Sequence, residues 1–189
     1  MTRYLSNKIK NVNVLMTLFI VMMHCSWSDS RFGVLLTITD VAVPTFFCIS
    51  SFLYFRDYDG SKPQYLRKLK SRAMSLLVPF LAYNLLLYGY YLLTANYLHL
   101  FPSKEIPTDM VDAVSFIFKS NADPPLWYLL TLFQFVIIAP VIGWMSSRLP
   151  LLCGLIFVAG GVFSQCEYSG LFYWLPVILF GAIIAIHKE

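Results

Sequence analysis

Residues 12–27 read VNVLMTLFIVMMHCSW, an apolar run of the length that crosses a bilayer as a helix, with one ionisable side chain, His24, near its far end. At helical spacing Asn13, Thr17, His24 and Ser28 follow one another at steps of 4, 7 and 4 and share one face, opposite a face of Leu, Phe, Ile and Met. An unsatisfied polar group in hydrocarbon costs several kcal/mol, so this stripe is expected to face protein or water. The question set by the first helix is what His24 looks at.

The rest of the chain repeats the apolar theme. Of 189 residues 58% are apolar and 13% charged, against roughly 25% charged in an ordinary soluble domain. Apolar runs recur along its length, which predicts an all-α fold: a polytopic membrane helical bundle of about six transmembrane helices. No basic run is interleaved with aromatics as in a nucleic-acid binder. Cys25, Cys48, Cys153 and Cys166 show no CxxC or metal-ligand spacing. Cys48 and Cys153 read as packing residues, and a Cys25–Cys166 bridge has no pattern behind it. Arg3, Lys8 and Lys10 before an apolar run imitate a signal peptide, but Met22 to Trp27 are too bulky for a cleavage site.

The six expected spans are 12–28, 34–55, 74–95, 126–145, 149–163 and 171–186, the fifth being short and Gly-rich. Arg3, Lys8, Lys10, Arg56, Lys62, Arg67, Lys68, Lys70, Arg72, Arg148 and Lys188 then fall on one side, and Arg31, Lys104 and Lys119 on the other. The positive-inside rule places both termini in the cytoplasm. Residues 65–80, YLRKLKSRAMSLLVPF, form a basic amphipathic segment entering the membrane. It reads either as an anchor at anionic head groups or as a cytoplasmic cradle for a phosphate-bearing donor. The long outer loop, 96–125, contains an apolar patch at 111–118 that suits a half-helix in the interface. There is no internal repeat.

Ionisable groups inside spans are functional candidates because burial there is expensive. Asp40, Phe47 and Ser51 share a face of the second span with Pro44 between them. Asn84, Tyr88, Tyr91 and Ala95 do so in the third, and Trp127, Thr131 and Gln134 in the fourth. A His beside a carboxylate is the minimum for general-base chemistry, because the carboxylate fixes the tautomer and stabilises the imidazolium. The alternative is an interfacial histidine, with Asp40 merely starting a helix near water. Ser50, Ser51 and Thr131 could equally be small residues that let helices approach. Trp27, Tyr97 and Trp174 read as interface-belt residues, and His99 and His187 as solvated.

Taken together these stretches resemble acyltransferase family 3, membrane proteins that modify sugars of bacterial cell-surface polysaccharides. LFIVMMH, ending at His24, is similar to the family's opening span. VPTFFCISSFLYF resembles its P-x-F-F-x-I-S-G-F stretch at Pro44, Phe46, Phe47, Ile49, Ser50 and Phe52. The basic run through Lys70, Arg72 and Pro79, the Leu-Trp-Tyr-Leu of Leu126 to Leu129, and the F-x-x-G-like close at Gly181 follow in the family's order. Two positions depart: Asn13 stands where the family commonly has Arg, and Ser51 where it usually has Gly. A neutral amide cannot replace a guanidinium on phosphate or carboxylate. Family members are also typically longer, so the resemblance identifies the chain with the N-terminal half of a member, a single domain over 1–189 that is incomplete at its C-terminus.

The resemblance implies a membrane-bound O-acyltransferase of the bacterial inner membrane. It would move an acetyl or other acyl group from cytoplasmic acyl-CoA, a donor substrate rather than a bound cofactor, to a hydroxyl of a surface or lipid-linked glycan. His24 would be the general base, or receive the acyl group itself, at a position where Asn13, Ser50 and Trp127 contact donor or acceptor. From charge and depth, Asp40 would orient His24, and Arg67, Lys68, Lys70 and Arg72 would steer CoA. The partners are then membrane lipid, glycan, acyl-CoA and a second polypeptide or copy that completes the site, with no nucleic acid and no metal. Two further readings stand beside it: an inactive remnant of the family, and a small transporter whose polar stripes line a path.

Overall fold

The computed structural model describes residues 3–24, 39–96, 106–119, 124–160 and 166–187. Among them every regular element is helical. In chain order they are α1 (Arg3–His24), α2 (Ala42–Arg56), α3 (Lys62–Arg72), α4 (Val78–Asn96), α5 (Met110–Phe118), α6 (Trp127–Arg148), α7 (Pro150–Val158) and α8 (Leu171–Ile186). A π turn, Ala73–Leu77, joins α3 to α4, and a 3₁₀ turn, Pro124–Leu126, leads into α6. The chain divides into two compact units. One comprises Met1–Asp59, Val141–Tyr168 and Phe172–Glu189, the other Gly60–Pro140 and Ser169–Leu171.

Two of these helices are long and apolar enough to cross a membrane, Lys62–Ala95 and Trp127–Arg148. Of the expected six or so spans, these two meet the length and hydropathy of a crossing helix among the described residues. α2 and α8 are apolar but shorter, at 15 and 16 residues. α7, in place of the expected span 149–163, has nine residues, about 14 Å at 1.5 Å per residue. α1 has 22 residues but spends its first turns on Lys8, Lys10 and asparagines, with the Lys8 ammonium 4.5 Å from the Tyr4 ring centre one turn earlier.

The third expected span begins twelve residues early. Lys62–Ala95 is 34 residues long, about 51 Å, against a hydrocarbon core of about 30 Å. Only its apolar C-terminal part, α4, fits the membrane, and the basic α3 continues the rod beyond it. The start of α3 follows from its sequence. Gly60 takes a left-handed φ of 75°, and the Ser61 hydroxyl accepts the Gln64 N–H at 3.3 Å, the Ser-x-x-Gln arrangement of a capping box. The π turn follows from Pro79, which has no N–H for the Ser75 carbonyl and whose ring crowds that turn. The backbone widens there, and Val78 N–H bonds Ala73 instead.

In the second unit α5 packs on α4. Phe118 sits 6.1 Å from Phe80 and Phe116 6.0 Å from Tyr88, ring centre to ring centre, while the Tyr88 hydroxyl donates to the Pro107 carbonyl at 2.6 Å. The expected half-helix at 111–118 thus exists and is held by α4 through Phe116 and Ile117, both buried. Asn84 lies fully buried on the same face of α4 as Phe80, its amide donating to the Phe80 carbonyl at 3.0 Å.

In the first unit α1 packs on α2, and α2 packs on α8. Phe47 stacks on Trp174 at 5.0 Å, and four residues further along both helices the Ser51 hydroxyl donates to the Ile178 carbonyl at 2.7 Å. Equal steps in the same direction mean that α2 and α8 run parallel. Gly181 closes the seam: a Cβ there would lie 2.5 Å from the Cys48 carbonyl oxygen and 3.0 Å from the Ser51 Cβ. Gly181, Ala182 and Ala185 are buried along this stretch, the small-residue interface that close helix approach in a membrane requires.

Gly181→Ala accordingly forces two backbones apart and costs about 1–3 kcal/mol. Gly154→Ala in α7, where nothing lies within 4 Å, gains roughly 0.5–1 kcal/mol of helix propensity. Thermal unfolding in detergent should lower the transition temperature of the first variant and not of the second.

Candidate functional site

Asn13, His24, Asp40 and Ser50 belong to the first unit, and Arg67, Lys68, Lys70, Arg72 and Trp127 to the second. On α1 the polar stripe does not behave as one surface. Asn13 is half-buried, with its side-chain oxygen enclosed and unpaired, whereas Thr17 is exposed and donates to the Asn13 carbonyl at 2.8 Å. A hydroxyl satisfied by its own helix needs no partner from another element, so Thr17 can stand exposed on this face. His24 is the last residue of α1. Its side chain, like Cys25 and Ser28, lies outside what the structure describes.

Asp40 is not on the face of α2. It occupies a turn, exposed, and α2 begins at Ala42 with Pro44 in its first turn. Proline is tolerated there because first-turn N–H groups have no helical partner, and it is excluded further in. The helix therefore starts just ahead of Pro44, and the helical spacing from Asp40 to Phe47 and Ser51 does not apply. Ser50 is half-buried on α2, while Ser51, its neighbour, is fully buried and makes the bond to α8.

Because α2 and α8 are parallel, the residues that precede them meet at one end of the seam. Here stands a cluster that the sequence reading passed over. Tyr168 rests on Trp174 at 5.1 Å with rings at 79°, Tyr173 lies 5.1 Å from Tyr168 and 4.9 Å from Trp174, and Phe47 forms the floor. The Trp174 indole donates to the Tyr168 carbonyl at 2.7 Å. Trp174 is 5% exposed, so it is a core residue and not the interface-belt tryptophan expected of it. Burial against these rings pushes the Tyr168 hydroxyl above the ordinary tyrosine range, and the neighbouring Tyr173 and the Asp40 carboxylate push it the same way. The YxxxxYW spacing from Tyr168 to Trp174 was the available signal.

The opposite end of the unit is basic. Arg56 ends α2 and pairs with Asp57, Arg148 ends α6, and the His187 ring Nε2–H donates to the Ser146 carbonyl at 2.9 Å. His187, expected to be merely solvated, thus covers one of the carbonyls left open at the C-terminus of α6. Gly143 of α6 lies against Phe55 and Tyr58 at this same end. Among the described residues Asp40 and Glu167 stand at one end of the unit, and Arg56 and Arg148 at the other in the company of Asp57 and Asp59.

In the second unit the four basic residues share α3 but not one face. At about 100° per residue, Arg67 and Lys70 lie within about 60° of each other, while Lys68 and Arg72 lie roughly 150° round the helix; Arg67, Lys70 and Arg72 are exposed and Lys68 is half-buried. Between them Tyr65 and Leu69 form the covered edge, and the Tyr65 hydroxyl donates to the Ile137 carbonyl at 3.0 Å, in the turn before Pro140. Arg67, Lys70 and Arg72 are thus presented to solvent, Arg67 and Lys70 on one face. Trp127 is half-buried at the start of α6, its ring edge-on to Tyr128 at 6.2 Å. The Thr131 hydroxyl proton is shared between the Trp127 carbonyl at 3.1 Å and the Ser169 carbonyl at 2.7 Å.

A family model described as an acyltransferase domain, that of acyltransferase family 3, matches residues 9–189. No curated protein and no solved structure matches the chain.

Asp40→Asn removes the smallest of the three causes and should lower the Tyr168 ionisation slightly while burial keeps it above the ordinary range, read as the difference in phenolate absorbance between this variant and one also carrying Tyr168→Phe. Since folding holds this hydroxyl neutral, its contribution to stability is complete below the ordinary tyrosine range and is lost as pH rises through the raised folded-state value.

Proposed function

The chain belongs to acyltransferase family 3, and from that membership we propose that it is a membrane-bound O-acyltransferase that moves an acetyl or other acyl group from cytoplasmic acyl-CoA to a glycan hydroxyl. The observation that carries the reading is the family match over 9–189 together with the motif stretches in family order, from LFIVMMH to LPVILFG. Two helices fit to cross a membrane agree with it. In this reading the protein is a multi-pass protein of the bacterial inner membrane with about six spans and cytoplasmic termini. Its acceptor is a cell-surface or lipid-linked glycan, and a second polypeptide or copy is its natural partner.

His24 is the general base. It takes the proton of the acceptor hydroxyl as that oxygen attacks the thioester carbonyl; the carbon–sulfur bond breaks, and the proton passes to the departing CoA thiolate. An acyl group carried briefly on the imidazole would serve the same balance. Asn13, one half-buried position on α1, and Ser50 and Trp127 contribute neutral polar contacts to donor or acceptor. The exposed Arg67, Lys70 and Arg72 gather the anionic CoA, with Lys68 adding to the field around α3. The polarity of the first unit supports an orientation with Arg56 and Arg148 toward the cytoplasm and Asp40 and Tyr168 away from it.

Membranes containing the chain, supplied with radiolabelled acetyl-CoA and lipid-linked glycan, should acylate the glycan. His24→Ala should lower that transfer by about 10²–10⁴-fold with insertion unchanged. Transfer equal to wild type would remove His24 from the chemistry. Arg67→Gln combined with Lys70→Gln should raise KM for acetyl-CoA at low salt and leave kcat, and the difference should shrink as ionic strength rises.

A further inference from the structure

We infer that Tyr168, Tyr173 and Asp40 form a pyranose-binding platform at the acidic end of the first unit, with Trp174 and Phe47 as its rigid floor. The inference deepens the acyltransferase reading by naming where the acceptor glycan is held, and it rests on that reading for its assignment to an acceptor.

The platform has the make-up of a sugar site. Tyr168 is 46% exposed, yet it is held from beneath by two neighbouring rings, so its open side is presented at small cost in side-chain entropy. Aromatic faces take the C–H-rich side of a pyranose, and a few convergent polar groups fix its orientation. Asp40, exposed in the turn before α2, supplies a carboxylate that accepts from paired ring hydroxyls, and the phenol of Tyr168 adds a donor. A phenol is protonated at neutral pH, so that donor is present.

An anionic lipid head group fits this end poorly. Asp40 and the exposed Glu167 both repel phosphate, and the Trp174 indole is buried with its N–H used internally. Acyl-CoA is excluded by the same charges. A neutral sugar is what remains, on the side of the unit opposite Arg56 and Arg148.

The test needs no acyl transfer. The full chain in nanodiscs of zwitterionic lipid is titrated with the methyl glycosides of glucose, galactose, mannose, rhamnose and N-acetylglucosamine, read by saturation-transfer NMR on the sugar protons. At least one should bind saturably. Tyr168→Ala should weaken that binding about tenfold or more, and Tyr168→Phe should keep most of it. Asp40→Asn should weaken it and change the order of preference among the sugars. Tyr168→Ala leaves the carbonyl that receives the Trp174 indole, so the floor is preserved; an unchanged thermal unfolding transition in detergent checks this. No saturable binding to any of the five glycosides, binding undiminished in Tyr168→Ala, or binding competed by glycerophosphocholine but not by a second glycoside would overturn the platform. Sugar binding without acyl transfer would keep the platform and defeat the acyltransferase reading. Glycan acylation undiminished in Tyr168→Ala would do the reverse.

Discussion

The approach of α8 to α2 at Gly181 governs the first unit. With no Cβ at that position, the Cys48 carbonyl can stand where a side chain would otherwise be, and the two helices come close enough for Ser51 to reach the Ile178 carbonyl. In a membrane the gain is packing more than water release, and an interhelical hydrogen bond of this kind averages only about 0.6 kcal/mol. Its weight is geometric. Once Ser51 and Gly181 are in register, Phe47 must meet Trp174 one turn earlier, and the segments before both helices must converge.

Polar side chains in the apolar helices are handled by a second, local rule. Thr17, Thr45, Thr94 and Thr131 each donate to the carbonyl four residues back, and the Asn84 amide does the same. The helix lends each hydroxyl an acceptor, so a polar position need not imply a partner, a pore or a substrate. What distinguishes a position is the contact left over after this local bond. Thr131 adds Ser169, while Asn13 and Asn84 each keep a side-chain oxygen enclosed without one.

Much of this was legible in the sequence. Apolar runs bounded by charge predict α8 at its observed limits, and the patch at 111–118 predicts α5 to within a residue. The family resemblance, carried by stretches around His24, Ser50 and Trp127, agrees with the match over 9–189. Other features escaped because periodicity cannot see them. Asp40 was placed on a helix that Pro44 does not let begin so early, and Trp174 was read from its position at a span end rather than from the glycine seven residues on that draws it inward. Asp40 and Tyr168 stand 128 positions apart. Their convergence depends on two helices being parallel, which no local pattern encodes. The His24 imidazole lies outside the described structure, so the catalytic reading of that residue rests on the resemblance.

The π turn at Ala73–Leu77 works as an indexing device between two helices with different tasks. The wide turn absorbs one extra residue, so the angular phase of α4 is offset by about 100° from that of α3 although the rod never breaks. The face carrying Arg67 and Lys70 and the face carrying Phe80 and Asn84 can therefore be aimed independently. A single-residue deletion in this stretch would be silent in hydropathy and in helix content. It would nonetheless turn Phe80 away from Phe118 while leaving the cations where they were, so this short stretch sets how the charged half and the apolar half are clocked against each other.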